Sequence, residues 1–204
     1  QAALPHAPQG PAHHMLVQIR NQAQALQQLV DNLLAMARLQ QGGVQLKREW
    51  LPVDELVGSA LAQMRERLAA HVLQTSLPAD LPLLQLDAVL MERVLVNLLD
   101  NAIKYTPEGT TITVAASVAD GNCVLSVQDA GPGLPVHLSP EQLFEPFTRG
   151  QAESAVFGMG LGLALAQRIV QAHGGSLRVA AADPGPGTVF SISLPVPEQP
   201  AMDE

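Results

Sequence analysis

Cysteine, aromatic residues, basic side chains and long apolar runs are all scarce in this sequence, and each scarcity excludes something. The single cysteine, Cys123, rules out an intrachain disulfide and fits a reducing compartment. Its setting, Cys123-Val124-Leu125-Ser126-Val127, predicts a buried strand thiol. Aromatics are 3% of a chain that is 47% hydrophobic, so a core has to be built from Leu, Val, Ile and Ala. Eleven Lys and Arg face nineteen Asp and Glu, giving a net charge of −8. That balance excludes broad electrostatic binding to nucleic acid, and any anionic ligand must be held locally. No run approaches the roughly 20 apolar residues of a membrane helix, and no signal-peptide pattern opens the chain. The segment is expected to be soluble, cytoplasmic and free of membrane contact, although it could be the cytoplasmic end of a protein anchored in the inner membrane.

What is present reads as one α/β domain with an appendage. Residues 1–15, with prolines at 5, 8 and 11, predict a leader or loop. Leu16, Ile19, Ala23, Leu26, Val30, Leu33 and Ala37 then recur at spacings of three and four, which predicts a helix with an apolar seam that Gly42-Gly43 terminates. Such a helix either packs on its own domain or is one arm of an intermolecular bundle. A short strand is expected at 44–52 and an amphipathic helix at 54–68, with strand, turn and strand over 72–86. Asp87 is a plausible N-cap for a strongly apolar helix at 88–105. Ile112, Val114, Ala116 and Val118 alternate, and Asp120-Gly121 turns that strand into an antiparallel partner at 122–128. Ser139-Pro140-Glu141-Gln142 predicts a short helix, 161–173 a longer one, and 176–182 and 187–194 two strands, before a frayed tail at 196–204.

Three stretches carry chemistry. In Asn97-Leu98-Leu99-Asp100-Asn101-Ala102-Ile103-Lys104-Tyr105 the two asparagines are four apart and share a helix face, with Lys104 and Tyr105 one turn on. Amides on a buried face destabilise unless satisfied, either structurally or by a ligand carrying oxygens and a metal. Asp129-Ala130-Gly131-Pro132-Gly133 stands at a strand end, where a carboxylate can accept from an exocyclic amine, or simply make a tight turn. Gly158-Met159-Gly160-Leu161-Gly162-Leu163 opens a helix and aims N–H groups at an anion. A dinucleotide fingerprint is excluded there, because a long loop rather than a strand precedes the glycines.

The order of these elements is more specific than any one of them. Asn97/Asn101, the Asp129 loop, Phe144-x-x-Phe147, the Gly158 loop and Gly185-Pro186-Gly187-Thr188 resemble the N box, first glycine box, F box and later glycine motifs of bacterial sensor histidine kinases. Those kinases share a superfamily with gyrase, the heat-shock chaperone ATPases and the mismatch-repair ATPases. Phe147-Thr148-Arg149-Gly150, Glu153-Ser154-Ala155-Val156 and Leu39-Gln40-Gln41-Gly42-Gly43 further resemble the potassium-responsive Kdp-type members. The resemblance implies a two-layer sandwich of a mixed sheet and three helices over 44–195, preceded at 16–43 by the second helix of a dimerisation and phosphotransfer hairpin. It implies ATP and Mg²⁺ as ligands. Asn101 would hold the metal, Asn97 and Lys104 the phosphates, Tyr105 the wall beside adenine, and Asp129 the adenine amine. Gly131, Gly133, Gly160, Leu161, Gly162, Leu163 and Thr188 complete the expected site with Gly158 and with Arg149, a candidate γ-phosphate contact. Segment 134–160 would be the lid, pinned by Phe144 and Phe147. Where hydrolytic members keep a glutamate one turn before the metal-binding asparagine, this chain has Asn97, which favours phosphoryl transfer to a protein over hydrolysis.

The expected acceptor histidine has no match. None of His6, His13, His14, His71, His137 or His173 has an acidic residue and a Leu-Arg-Thr-Pro-like run after it. His173, before Gly174-Gly175, reads as a structural residue whose cationic form suits a helix C-terminus. The chain is thus expected to begin in the hairpin's connecting loop and to bind ATP–Mg²⁺ without phosphorylating itself. Its partners would be a first hairpin helix bearing the histidine, a response regulator, and a second copy in a full-length homodimer. A serine-kinase anti-sigma factor or a nucleotide-binding regulator of the same superfamily is the alternative, and the seam helix argues against the former.

Overall fold

The structure is a computed structural model that describes residues 15, 19–20, 22–23, 26–27, 30, 32–37, 45–135, 137–148, 160–183 and 185–199. The expected leader at 1–14 and the last five residues of the tail therefore lie outside the described residues. All described positions between 15 and 37 are helical (α1). There follow β1 (Glu49–Leu51), α2 (Val53–Gln63), α3 (Arg65–Leu68), β2 (Val72–Ser76), β3 (Leu84–Leu86), α4 (Ala88–Tyr105), β4 (Thr111–Ala119) and β5 (Asn122–Asp129). A 3₁₀ turn at Gln142–Phe144, α5 (Gly162–Ala172), β6 (Ser176–Ala181) and β7 (Thr188–Pro195) complete the order.

The expected mixed sheet is present. Its order is β2-β4-β5-β7-β6, with β2 and β4 parallel and the other neighbours antiparallel. β5 alternates buried and half-buried positions along its whole length, because one face of the sheet carries the helices. Those buried positions include Cys123, Leu125 and Val127, and burial pushes the Cys123 thiol up, so it is the inert strand thiol expected. Asp120 and Gly121 both take positive φ, the two-residue turn that matches strand twist and closes the β4–β5 hairpin.

Several local expectations change. The strand foreseen at 44–52 shrinks to Glu49–Leu51, which pairs antiparallel with Leu84–Leu86 in a separate two-stranded sheet. The helix foreseen at 54–68 breaks at Met64, whose backbone leaves the helical region, while Met64 and Leu68 both remain buried. Val118 is exposed despite its place in the alternation. The described part of the tail is pinned rather than frayed. Val196 N–H donates to Gly121 O, and the Gln199 amide both accepts from Leu83 N (3.0 Å) and donates to Leu83 O (3.2 Å). A side-chain amide carries the same donor and acceptor pair as a peptide unit and bridges a backbone residue as a strand would.

Helix ends follow their sequence signals. Asp87 Oδ1 accepts from Leu90 N at 3.2 Å and caps α4. Ser139 and Gln142 form a reciprocal capping pair, Gln142 N to Ser139 Oγ (3.3 Å) and Ser139 N to Gln142 Oε1 (2.8 Å). Gly174 takes φ of 83° and its N–H donates to Gln171 O while Gly175 N–H donates to Val170 O, a Schellman closure of α5. His173 is structural, as expected, but not a cation. Its Nε2 accepts from Asp87 N–H at 3.0 Å and its Nδ1 donates to Ile169 O at 2.8 Å, which fixes the neutral tautomer. Burial holds its pKa below the usual value, so the dipole argument loses to desolvation.

The core gathers Leu56, Val57 and Ala60 of α2, Leu95, Leu98 and Leu99 of α4, Leu165 and Ile169 of α5, and the inward residues of the sheet. α1 is the exception. Its seam residues Ile19, Ala23, Leu26, Val30, Leu33 and Ala37 are all exposed, and it meets the domain through Asn32 and Met36 instead. Because Leu98 is fully enclosed, Leu98→Ala should lower unfolding free energy by about 2–5 kcal/mol, read as a reduced urea midpoint at unchanged slope.

Candidate functional site

α4 has to be buried and polar at once. Asn97 is only 6% exposed, and its Nδ2 donates to Gly162 O at 3.3 Å, where α5 begins. One turn on, Asn101 is half-buried, and among the described residues its carboxamide has no partner. Asp100 between them is held by two cations. Its Oδ2 pairs with Lys104 Nζ at 2.6 Å and its Oδ1 with the Arg67 guanidinium of α3. Lys104 is thus available to an anion only by sharing it with Asp100. Arg67 had no sequence signal of this role, because it comes from another helix. Tyr105 ends the helix, partly exposed.

At the far end of the helix lies the Asp129 turn. Asp129 closes β5, is paired with Ile112 on one side and Thr188 on the other, and is 5% exposed. Its Oδ1 accepts from Gly131 N (2.8 Å) and Thr188 N (3.3 Å), while Oδ2 accepts from no described residue. Burial pushes its carboxyl up from the ordinary range, and the two N–H donors oppose that shift. The turn depends on missing side chains. A Cβ on Gly131 would stand 2.7 Å from Tyr105 O, and one on Gly187 2.1 Å from Asp129 O. These contacts bring Tyr105, Asp129, Gly131, Gly187 and the buried Thr188 into one cluster. Gly133 joins it through Gly187 O. Eight residues of α4 separate this cluster from Asn97, about 12 Å at the helical rise.

The remaining expected residues divide. Gly160 takes φ of 65° against Thr148 O and accepts at its carbonyl from Phe147 N–H (3.0 Å), so the middle of the expected 134–160 lid meets its C-terminal end there. Phe144 is buried in the core and holds the middle of that segment to the domain. Phe147 does not pin anything with its ring. It is 64% exposed with φ of 66°, and its backbone makes the contact. The Leu161 side chain packs with Met36 and Ala164, which leaves its backbone alone for a ligand, and Leu163 packs against the main core. Arg149 and Gly158 lie outside the described residues.

The donor set fits a divalent cation bound mainly through an anionic ligand. Among the described residues no group of three His, Cys, Asp or Glu could cage a metal, whereas the unpartnered Asn101 amide can give one oxygen and leave the other positions to phosphate and water.

Comparison with known proteins agrees with this geometry. Residues 86–198 match the family described as histidine kinase-, DNA gyrase B-, and HSP90-like ATPase. The chain is 44% identical over 187 residues to the sensor protein KdpD of Escherichia coli, covering 92% of this chain and 21% of KdpD. It is 36% identical over 190 residues to the adaptive-response sensory kinase SasA of Trichormus variabilis, covering 90% of this chain and 46% of SasA. The chain therefore spans from about a fifth to under half the length of these curated relatives. Among solved structures, the Acinetobacter baumannii histidine kinase AdeS superposes with a TM-score of 0.74 at 26% identity, over 93% of this chain and 87% of that one. Full-length ShkA, solved with AMPPNP, gives 0.75 at 27% identity over 95% of this chain and 40% of ShkA. With its motifs in order and its fold matched, the chain belongs to the histidine kinase-, DNA gyrase B- and HSP90-like ATPase family, as the ATP-binding catalytic domain of a sensor histidine kinase of Kdp-like sequence.

Proposed function

We propose that this domain donates the γ-phosphoryl group of ATP to a histidine on a helix outside these 204 residues, for relay to a response regulator in two-component signalling. The observation that carries the reading is the amide face of α4. It presents Asn97 to the glycine loop and an unpartnered Asn101 beside it, with no carboxylate at position 97 to orient a water. Adenine would lie at the Asp129 cluster, its amine donating to Oδ2 while Oδ1 stays held by Gly131 and Thr188. Tyr105 would wall the ring. The phosphates would run toward Gly160–Gly162 at the N-terminus of α5, where backbone N–H groups and the helix dipole favour an anion. Lys104, steadied by Asp100, would neutralise part of their charge, and Arg149 would reach the γ-phosphate from the lid. Mg²⁺, held by Asn101, would spread negative charge off the transferring group. ShkA, a structural neighbour solved with AMPPNP, supports the choice of nucleotide.

The exposed seam of α1 supports an intermolecular bundle, since an apolar stripe left in water destabilises until a partner covers it. We assign that partner to the acceptor helix and a second copy of the full-length protein. Likeness to KdpD supports potassium sensing. Among the described residues no helix is long and apolar enough to cross a membrane. Likeness to KdpD supports placing this segment on the cytoplasmic side of a parent anchored in the inner membrane.

Three outcomes follow. Asn101→Ala should cut Mg²⁺-dependent ATP affinity at least tenfold in titration calorimetry, and unchanged affinity would remove the metal assignment. Asp129→Asn should weaken ATP by a similar factor and erode the preference for ATP over GTP, because the amide can turn a donor toward the exocyclic amine. With γ-labelled ATP the chain alone should gain no acid-labile, base-stable phosphate, and a separately supplied acceptor helix should gain it. Label on the chain itself would refute the absence of an acceptor.

A further inference from the structure

α4 and α5 run antiparallel and are tied by a polar contact at each end. At the site, Asn97 Nδ2 meets Gly162 O, and at the opposite end Asp87, the N-cap of α4, meets His173, the C-cap of α5. The contacts are ten residues apart along α4 and eleven along α5, about 15 and about 17 Å of helix. They are therefore two rungs of one ladder. Between them α4 supplies the buried Met91, Val94 and Leu95 and α5 the buried Leu165, Ala166 and Ile169 to one apolar core, whose attraction is non-directional. Directional bonds at the two ends add an angular and axial constraint to what side-chain packing sets.

His173 is built to do so. It is 4% exposed, and both ring nitrogens are used, one as acceptor and one as donor. Asp87 is itself fixed, Oδ1 by Leu90 N and Oδ2 by Lys47 N at 3.0 Å. Arg48 Nη2 donates to Ala172 O at 3.1 Å, so the segment before β1 also closes on this point. We propose that neutral His173 is a positioning residue that sets the register of α4 on α5, and thereby the placement of Asn97 and Asn101 against the loop at Gly160–Gly162. The proposal rests on reading that loop and those asparagines as the ATP site. Protonation would turn Nε2 into a second donor facing the Asp87 N–H and break the rung. Of the charged groups around the ring, Arg48 opposes protonation and the Asp87 carboxylate favours it, while Lys47 enters through its backbone. Since burial keeps the folded His173 below the unfolded value of about 6.5, the native chain binds fewer protons than the unfolded one. The rung is complete above that pH and is lost as pH falls through the folded pKa.

The test is ATP–Mg²⁺ affinity of the 204-residue chain at pH 8, 6.5 and 5 by titration calorimetry, with the folded fraction checked by circular dichroism. His173→Gln offers an amide oxygen near the Nε2 position without titrating, whereas His173→Asn keeps a donor near Nδ1 and cannot reach Asp87. Protonation of the nucleotide affects all three proteins alike. Wild type and His173→Gln should bind within twofold of each other at pH 8, and between pH 8 and 5 the wild type should lose at least threefold more affinity. A folded His173→Asn should be weaker at least fivefold at every pH. A common pH profile for wild type and His173→Gln, or a folded His173→Asn that binds normally, overturns the positioning role. Absence of ATP binding by the wild type at pH 8 overturns the ATP site, and this proposal with it.

Discussion

The structure depends on one helix meeting two opposed demands. α4 packs against α2, α5 and β5, so Leu95, Leu98 and Leu99 are almost wholly enclosed. The same helix has to carry amides into that dry surrounding, because only a helix fixed on several sides can hold two side chains to the tolerance that positioning a reactive group requires. The conflict is resolved along the helix rather than across it. Asn97 is satisfied by the backbone of α5 and Asp100 by two cations, while the Asn101 carboxamide has no partner among the described residues. An unsatisfied amide at Asn97 would cost about 1–3 kcal/mol, so the carbonyl of Gly162 is part of the fold as well as of the site.

Glycines translate that helix into a pocket. At Gly131 and Gly187 backbone approaches backbone more closely than any Cβ allows, and both approaches converge on Asp129 or on the helix end beside it. Asp129 gains two N–H donors from this crowding, which oppose the upward push of its desolvation. Strand pairing of Asp129 with Ile112 and Thr188 places the turn at the end of the sheet, above the last turn of α4. The proposed adenine and phosphate sites are thus held at a fixed spacing because a helix and a sheet edge are rigidly joined.

Much of this was legible in the sequence for a physical reason. Alternation along β4 and β5, the Asp120-Gly121 turn, the Asp87 cap, the Ser139–Gln142 pair and the Gly174 closure are local, and a few neighbouring side chains decide each of them. The order of Asn97, Asn101, Asp129, Gly160 and Thr188 was readable as a set because each residue type is costly unless something uses it. Where the reading missed, the deciding partner was distant. Gln199 clamps Leu83 across 116 residues, and the Phe147 backbone bonds Gly160 with a positive φ that leaves its ring exposed.

His173 draws the line between the two levels. By itself the sequence determined that a histidine stands before two glycines at a helix end, and local electrostatics then favour a cation. Only the tertiary structure brought the Asp87 N–H onto its Nε2 and buried the ring, which makes the neutral form the one that fits. Asp100 is divided in the same way: its pair with Lys104 follows from i,i+4 spacing on α4, while its second cation, Arg67, comes from α3 and only the fold brings it there. Periodicity and caps are short-range energies that the chain carries in its order of residues. Protonation states, tethers and close backbone approaches are set by what lies within a few ångströms in space, and folding alone supplies those neighbours.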